Sequence, residues 1–409
     1  MKSDNIYIAR LKREETDFEF VERKGIGHPD TLSDALAEKL SREYSNYTLK
    51  KFGAVLHHNF DKIGLLGGSS YVAFGKGHLL RPIRVLINGR VSISFADENI
   101  PVRKLLTNWT KEFFALALPT VDVENDLEFH MNLSSQSSPG KTYEEEAKRS
   151  ARQRWFEPRS LDDVPEIKKL VANDTSLGVG YAPTSLLERL VLKIEEMLNG
   201  EFKSENKWIG SDIKIMAVRV KDLISITMCI PQIAMHVPSL NDYKENLLNA
   251  REYIKKIVAD MGINTFELNI NTRDNYELRE LYLTATGSSL ESGDEGLVGR
   301  GNRVNGIISP LRPMSLEGAC GKNPIYHIGK VYYLAAFDMA EKIYKKFGIH
   351  NEVYLVSQSG RDIKDPWKSI VAVPEHFDKL DILKQYIAEQ LQHITDITTK
   401  VLHEEISLY

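Results

Sequence analysis

Hydrophobic positions along the chain recur in one order of periods. After Pro29, residues Leu32, Ala35, Leu36, Leu40 and Tyr44 fall at helical spacing, with Asp30 and Thr31 as candidate N-caps, which predicts an amphipathic helix. Strand-like runs over residues 54–66 and 83–95 follow, and Leu105, Trp109, Phe113 and Phe114 predict a second helix. The same order returns after Asn173 and Asp174. There a helix from about residue 184 carries Leu187, Leu190, Val191 and Ile194, strands are expected over residues 213–220 and 223–230, and a helix runs through Tyr243, Leu247 and Tyr253. It returns again after Gly293 and Asp294, with a helix over residues 324–347, strands over 352–357 and 369–373, and a last helix through Leu380, Leu383 and Ile387.

This recurrence predicts an α/β (α+β) fold of three interwoven βαββαβ-like units, with approximate boundaries at residues 1–135, 136–270 and 271–409. Each unit has a loop with an acidic residue ahead of its first helix, so Asp30, Asp174 and Asp294 are expected in equivalent places. Residues 134–165 have weak periodicity and read as a long surface insertion or a mobile loop.

Charge narrows the function. Lysine and arginine number 53 against 57 acidic residues, a net charge of -4, with no long like-charge run to bind nucleic acid or a membrane. An anionic ligand must then be gripped by a few local cations. Cys229 and Cys320 lack CxxC or Cys/His spacing, which argues against zinc or a disulfide framework and for a reducing compartment. The opening residues hold no apolar signal stretch and no window approaches 18 apolar residues, so a cytoplasmic protein is expected. Cys320 reads as small buried core packing, with a redox switch beside Lys322 as the alternative.

The densest chemistry lies in residues 287–306, where six glycines enclose Asp294, Glu295, Arg300 and Arg303. Glycines let backbone amides approach phosphate oxygens, and arginines add bidentate donors. Neither GxxxxGK[ST] nor GxGxxG occurs, so a bound nucleotide would need another fold. A second cluster, ERKGIGHPD at residues 22–30, brings Lys24, His28 and Asp30 to a helix start, where an anion and Mg²⁺ are favoured; the same residues would also serve as a plain turn and cap. A third, GKNP at 321–324, puts Lys322, His327 and Lys330 at spacings that face one side of a helix. Asp212 and Lys214 share one face of a strand entry, an ordinary feature taken alone. His57 and His58 are adjacent on a strand and point apart, which excludes a shared zinc.

GIGHPD at 25–30, HHNFDK at 57–62, NDTSLGVGYAP at 173–183, GDEGLVGRGNRVNG at 293–306 and GKNP at 321–324 together resemble the archaeal-type methionine adenosyltransferases (S-adenosylmethionine synthetases). The resemblance implies pseudo-threefold architecture and a homodimer whose active sites lie between subunits. It implies attack of methionine sulfur on ribose C5′ of ATP, then hydrolysis of the displaced triphosphate to pyrophosphate and phosphate. His28 would stabilise the leaving group, Asp30 would bind Mg²⁺, and Lys214, Arg300 and Lys322 would hold phosphates, with Lys24, Arg303, His327 and Lys330 among the other ligand-binding candidates. Asp174 and Asp294 would lie near methionine and the ribose or adenosine. K⁺ is implied as well, with Asn59 or Asp61 as candidate ligands, although HHNFDK places Phe60 and Lys62 where the family usually has HHNTDQ. The rival readings are a relative that uses another thioether and a silent regulatory subunit.

Overall fold

The computed structural model describes residues 5–11, 16–136 and 154–409. Most of the expected 134–165 insertion, residues 137–153, therefore lies outside the described residues. In chain order, β1 (Ile6–Leu11) and β2 (Phe18–Lys24) precede α1 (Pro29–Phe52), β3 (Gly64–Leu66), β4 (Ile83–Val91), α2 (Val102–Ala117) and β5 (Leu127–Ser134). Next come β6 (Leu177–Ala182), α3 (Leu186–Met197), β7 (Lys214–Val220), β8 (Leu223–Cys229), α4 (Leu240–Asp260) and β9 (Phe266–Ile270). The rest is β10 (Glu295–Leu297), α5 (Ile328–Phe347), β11 (Asn351–Val356), β12 (Lys368–Pro374) and α6 (Leu380–Gln392).

Three principal sheets share one topology, in the orders β5-β4-β3-β10, β9-β8-β7-β2 and β1-β12-β11-β6. Each has an antiparallel pair at its centre, a parallel strand on one edge and an antiparallel strand on the other. Helices α1 and α2 serve the first sheet, α3 and α4 the second, α5 and α6 the third. The antiparallel edge strand is always donated. β2 precedes α1 but completes the sheet of α3, β6 precedes α3 but completes that of α5, and β10 precedes α5 but completes that of α1. Each donated strand is followed by a crossover to the next sheet, over residues 25–28, 183–185 and 298–327.

Alternation sets which face packs. On β8, Ile224, Ile226 and Met228 are buried while Leu223, Thr227 and Cys229 are exposed, so the helices cover one face only. One core lies under the second sheet, around Leu190, Ile215, Ile226 and Ile254, and a larger one runs through the first and third sheets. Among the described residues no helix is long and apolar enough to cross a membrane.

Two expectations are corrected. The run over residues 54–66 is mostly not a strand. Only His58–Asn59 and β3 pair with β4, because Phe60 N turns to donate to Gly321 O (2.8 Å). The three aspartates are not equivalent either. Asp174 and Asp294 precede donated strands, whereas Asp30 follows one and lies in the first turn of α1.

Candidate active site

Cations gather where β2 ends. Lys24 and Lys214 stand directly opposite across β2 and β7, and like charges so placed repel unless an anion lies with them. Each is partly compensated, Lys24 Nζ by Asp30 Oδ2 at 2.8 Å and Lys214 Nζ by Glu22 Oε1 at 3.3 Å. Asn302 fixes the Lys24 backbone, accepting from its amide (3.0 Å) and donating to its carbonyl (2.8 Å).

The first crossover lies flat on the strand entry, with Gly25 N donating to Ile213 O (2.8 Å) and Gly27 N to Ser211 O (3.0 Å). A Cβ on Gly27 would fall 2.6 Å from Asp212 N, so only glycine permits this approach. It delivers His28 to the N-cap of α1, where Nδ1 accepts from Asp30 N at 3.2 Å. The ring proton is then on Nε2. Burial lowers the His28 pKa, against the opposing pull of Asp212 and Asp30. The result is a neutral donor at a helix N-terminus, where negative charge is favoured.

Asp212 lies beneath, a residue that residue-type reasoning passed over as ordinary. It is buried and accepts from Ser289 N (2.9 Å), Ser289 Oγ (2.7 Å) and Tyr282 OH (3.1 Å), and burial raises its pKa. The same Ser289 Oγ is 3.0 Å from Asp294 Oδ2, which brings the exposed Asp294 to this corner. Arg300 is exposed nearby, its carbonyl held by Lys24 Nζ at 2.7 Å, and among the described residues its guanidinium has no hydrogen bond or ion pair.

A second group forms around Lys322. Its ammonium pairs with Glu317 and stands 4.0 Å from Asp61 Oδ2, and burial pulls its pKa down to about 8. Asp174 acts on it through space, its own Oδ1 accepting from Thr175 N at 2.7 Å. His327 is driven well below the usual histidine range by burial and by Lys322, Lys330, Lys62 and Arg90, and its buried Nδ1 has no partner among the described residues.

Helix α1 connects the groups through a buried polar stripe. Asp30 accepts from Leu297 N (3.1 Å), Asp34 from Gly299 N (2.8 Å) and Glu38 from Gly321 N (3.0 Å), while Ser41 Oγ donates to Lys322 O (3.0 Å). Spacing of three and four residues makes this one face of a helix, so the pattern was present in the sequence although the burial was not.

Several candidates fall elsewhere. Lys330 is fully buried and binds both oxygens of Glu38 at 2.7 and 2.8 Å, so it is not presented to a phosphate. The expected face of Lys322, His327 and Lys330 does not form, because α5 starts at Ile328 and Lys322 and His327 lie in the turn before it. Arg303 points inward, its Nη2 donating to Gly299 O and Gly301 O. Phe60 packs into the core against Tyr44 and His58, and Asp61 Oδ2 lies against Lys62 (2.7 Å) and Lys322. Two ammonium groups there leave Asp61 a poor ligand for K⁺, although Asn59 Oδ1 is buried without a partner among the described residues. Cys320 is buried, its thiol pKa pushed well up, with Sγ donating to Leu408 O; it is core packing rather than a redox switch.

His57 and His58 diverge as expected. His57 meets Glu166 at 2.9 Å, and His58 meets Ser41 Oγ at 2.8 Å. No group of three or more His, Cys, Asp or Glu residues able to hold a metal occurs among the described residues. With the described residues alone, a divalent ion would have to take part of its shell from a ligand or from water, as Mg²⁺ does with phosphates.

The S-adenosylmethionine synthetase (AdoMet synthetase) family model matches residues 4–153 and 157–405. The S-adenosylmethionine synthase of Archaeoglobus fulgidus is 37% identical over 421 residues, covering 99% of this chain and 100% of that protein. That of Pyrococcus furiosus is 37% identical and covers 98% of each. In fold, the chain is similar to the solved structure of an unusual S-adenosylmethionine synthetase from Campylobacter jejuni, with TM-score 0.57, 13% identity and 93% of each chain covered. A family model that matches nearly the whole chain and relatives at 37% identity over nearly their full length show that the chain belongs to the S-adenosylmethionine synthetase family.

Proposed function

We infer that this protein is a methionine adenosyltransferase that converts ATP, L-methionine and water into S-adenosyl-L-methionine, pyrophosphate and phosphate in the cytoplasm. The observation that carries the reading is the opposed Lys24–Lys214 pair beside the neutral donor His28, a concentration of positive charge and donors suited to a polyanion. In the first step the methionine sulfur forms a bond to ribose C5′, and the C5′–O5′ bond breaks with its electrons leaving on the triphosphate. A thioether has no proton to lose, so no general base is needed. Catalysis consists of orienting the sulfur and stabilising the charge that develops on the leaving group. His28 Nε2–H, Lys24, Lys214, Arg300 and Lys322 serve the triphosphate, and Asp174 and Asp294 serve methionine and the nucleoside. Asp30 would hold Mg²⁺ on exchanging its Lys24 partner for the metal, and bound Mg²⁺ would neutralise phosphate charge. Water then cleaves the triphosphate.

The working unit is a homodimer with active sites shared between subunits. From Asp30 to Ser41, α1 rises about 16 Å, so the His28 and Lys322 groups of one chain lie toward opposite ends of this span. A second copy brings them together. The uncovered sheet faces suit such pairing, with Phe20, Val218 and Met216 on the second sheet and Tyr7 and Val356 on the third at least partly exposed.

Incubation with ATP, methionine, Mg²⁺ and K⁺, followed by mass spectrometry and phosphate assay, should yield equal amounts of sulfonium product, pyrophosphate and phosphate. Phosphate without sulfonium product would mean another acceptor or a bare triphosphatase, and neither product a silent subunit. Mixing and re-associating inactive His28→Ala and Lys322→Ala dimers should recover about a quarter of wild-type activity. Recovery of none would place both residues in the site from one chain.

A further inference from the structure

The turn over residues 297–303, which carries Arg300, is held at nearly every backbone group. Asp30 Oδ1 takes Leu297 N at 3.1 Å and Asp34 Oδ1 takes Gly299 N at 2.8 Å. Lys24 Nζ binds Arg300 O at 2.7 Å. Arg303 Nη2 binds Gly299 O at 2.7 Å and Gly301 O at 2.9 Å, while its Nη1 reaches Ser315 O at 3.3 Å. Gly301 presses on the same carboxyl so closely that a Cβ there would meet Asp34 Oδ2 at 2.3 Å. The void lined by Asp34, Gly299, Arg303 and Cys320 among others has a volume of about 10 Å³, which leaves the turn little room to shift into it. Asp34 is itself 2% exposed and cannot touch a ligand.

We propose that Asp34 and Arg303 are positioning residues that lock residues 299–301 from the amide side and the carbonyl side, so that Arg300 is presented to the phosphate chain in one orientation. This rests on the reading of Arg300 as a phosphate-binding group. Glycines at 299 and 301 would otherwise leave the turn many conformations, and ordering them would weaken binding. Locking the backbone beforehand removes that cost and leaves the exposed guanidinium as the moving part.

The test is calorimetric titration of the full-length protein with inorganic tripolyphosphate, alongside steady-state kinetics. Arg300→Ala should weaken tripolyphosphate about 30-fold and Asp34→Ala about 10-fold, while the double variant stays within about 2-fold of Arg300→Ala alone, because Asp34 acts only through Arg300. Asp34→Asn retains an oxygen for Gly299 N and should fall between wild type and Asp34→Ala. In kinetics, Asp34→Ala should lower kcat with the KM for methionine unchanged. Wild-type affinity in Asp34→Ala, or a double variant losing the product of both single effects, would overturn the proposal. Should Asp34→Ala fail to fold, Asp34→Asn and Arg303→Met complete the same cycle. If wild-type protein binds no tripolyphosphate, the phosphate reading of the site fails and this proposal with it. If wild type binds tripolyphosphate but makes no sulfonium product, only the assigned reaction fails.

Discussion

The first and second crossovers occupy the same place in the same topology and have been put to different uses. At residues 183–185 the chain enters α3 through a complete capping box. Ser185 Oγ accepts from Glu188 N (3.0 Å), and Glu188 accepts from Ser185 N (2.7 Å), from Tyr181 OH (2.7 Å) and from Arg312 (3.1 and 3.2 Å). The cap is satisfied by groups of the protein itself. At residues 25–28 the cap is a histidine ring, and its neighbours are opposed lysines and an aspartate holding a lysine. The third crossover goes further, since α5 has no side-chain cap and His327 Nδ1 is unpartnered among the described residues. A crossover that satisfies itself is scaffold. One that keeps polar groups in reserve beside concentrated charge is prepared for a ligand.

Substitutions can break or sharpen that contrast. The largest effect is expected from a cation in the third crossover's helix that serves stability alone. Lys330→Ala leaves Glu38 buried and unpaired and should cost about 3–5 kcal/mol in urea unfolding, much of it recovered in Lys330→Met combined with Glu38→Leu. Lys322→Ala should instead lower kcat/KM about 10²–10³-fold with little change in unfolding midpoint, measured as sulfonium product formed. Equal behaviour of the two lysines would erase the distinction between scaffold and site.

A smaller effect concerns pH. His58, which supports the Lys322 turn, has its pKa driven down to about 3 by burial. Its folded pKa is below the unfolded value, so its contribution is complete above about pH 6.5 and is lost as pH falls. Between pH 6.5 and 5 this should remove about 2 kcal/mol, and a His58→Gln variant should lack that part of the slope. Asp34, raised to about 7 by burial, acts oppositely, since it favours folding when protonated and loses that contribution as pH climbs from about 4 through 7. The smallest effect belongs to the second crossover. Ser185→Ala should cost about 1 kcal/mol and leave kcat unchanged; a kinetic defect there would show that the scaffold crossover is also part of the site.

Which features were legible follows from their range. The helix through Leu32, Leu36 and Leu40 and the strand pair around Ile215 and Ile226 announce themselves within a few residues, because period and burial are local. The donated strands find their partners far away, and β10 has only three residues, so β6 and β10 went unread. The same blindness made Asp30 look equivalent to Asp174 and Asp294. Lys330 was misassigned because spacing cannot show that Glu38, from another helix, neutralises it. Asp34 and Asp212 look like surface aspartates until the backbone amides that hold them are seen.

The long reach of the β1 pairing also sets a clock on biosynthesis. β1 pairs in parallel with β12, Ile6 against Ser369, so β1 cannot find its neighbour until about 360 further residues have been made. At cellular synthesis rates that interval is about 20–70 s. Throughout it the edge Ile6–Leu11 is available for wrong pairing, and that segment is where chaperone dependence or aggregation of the nascent protein should concentrate.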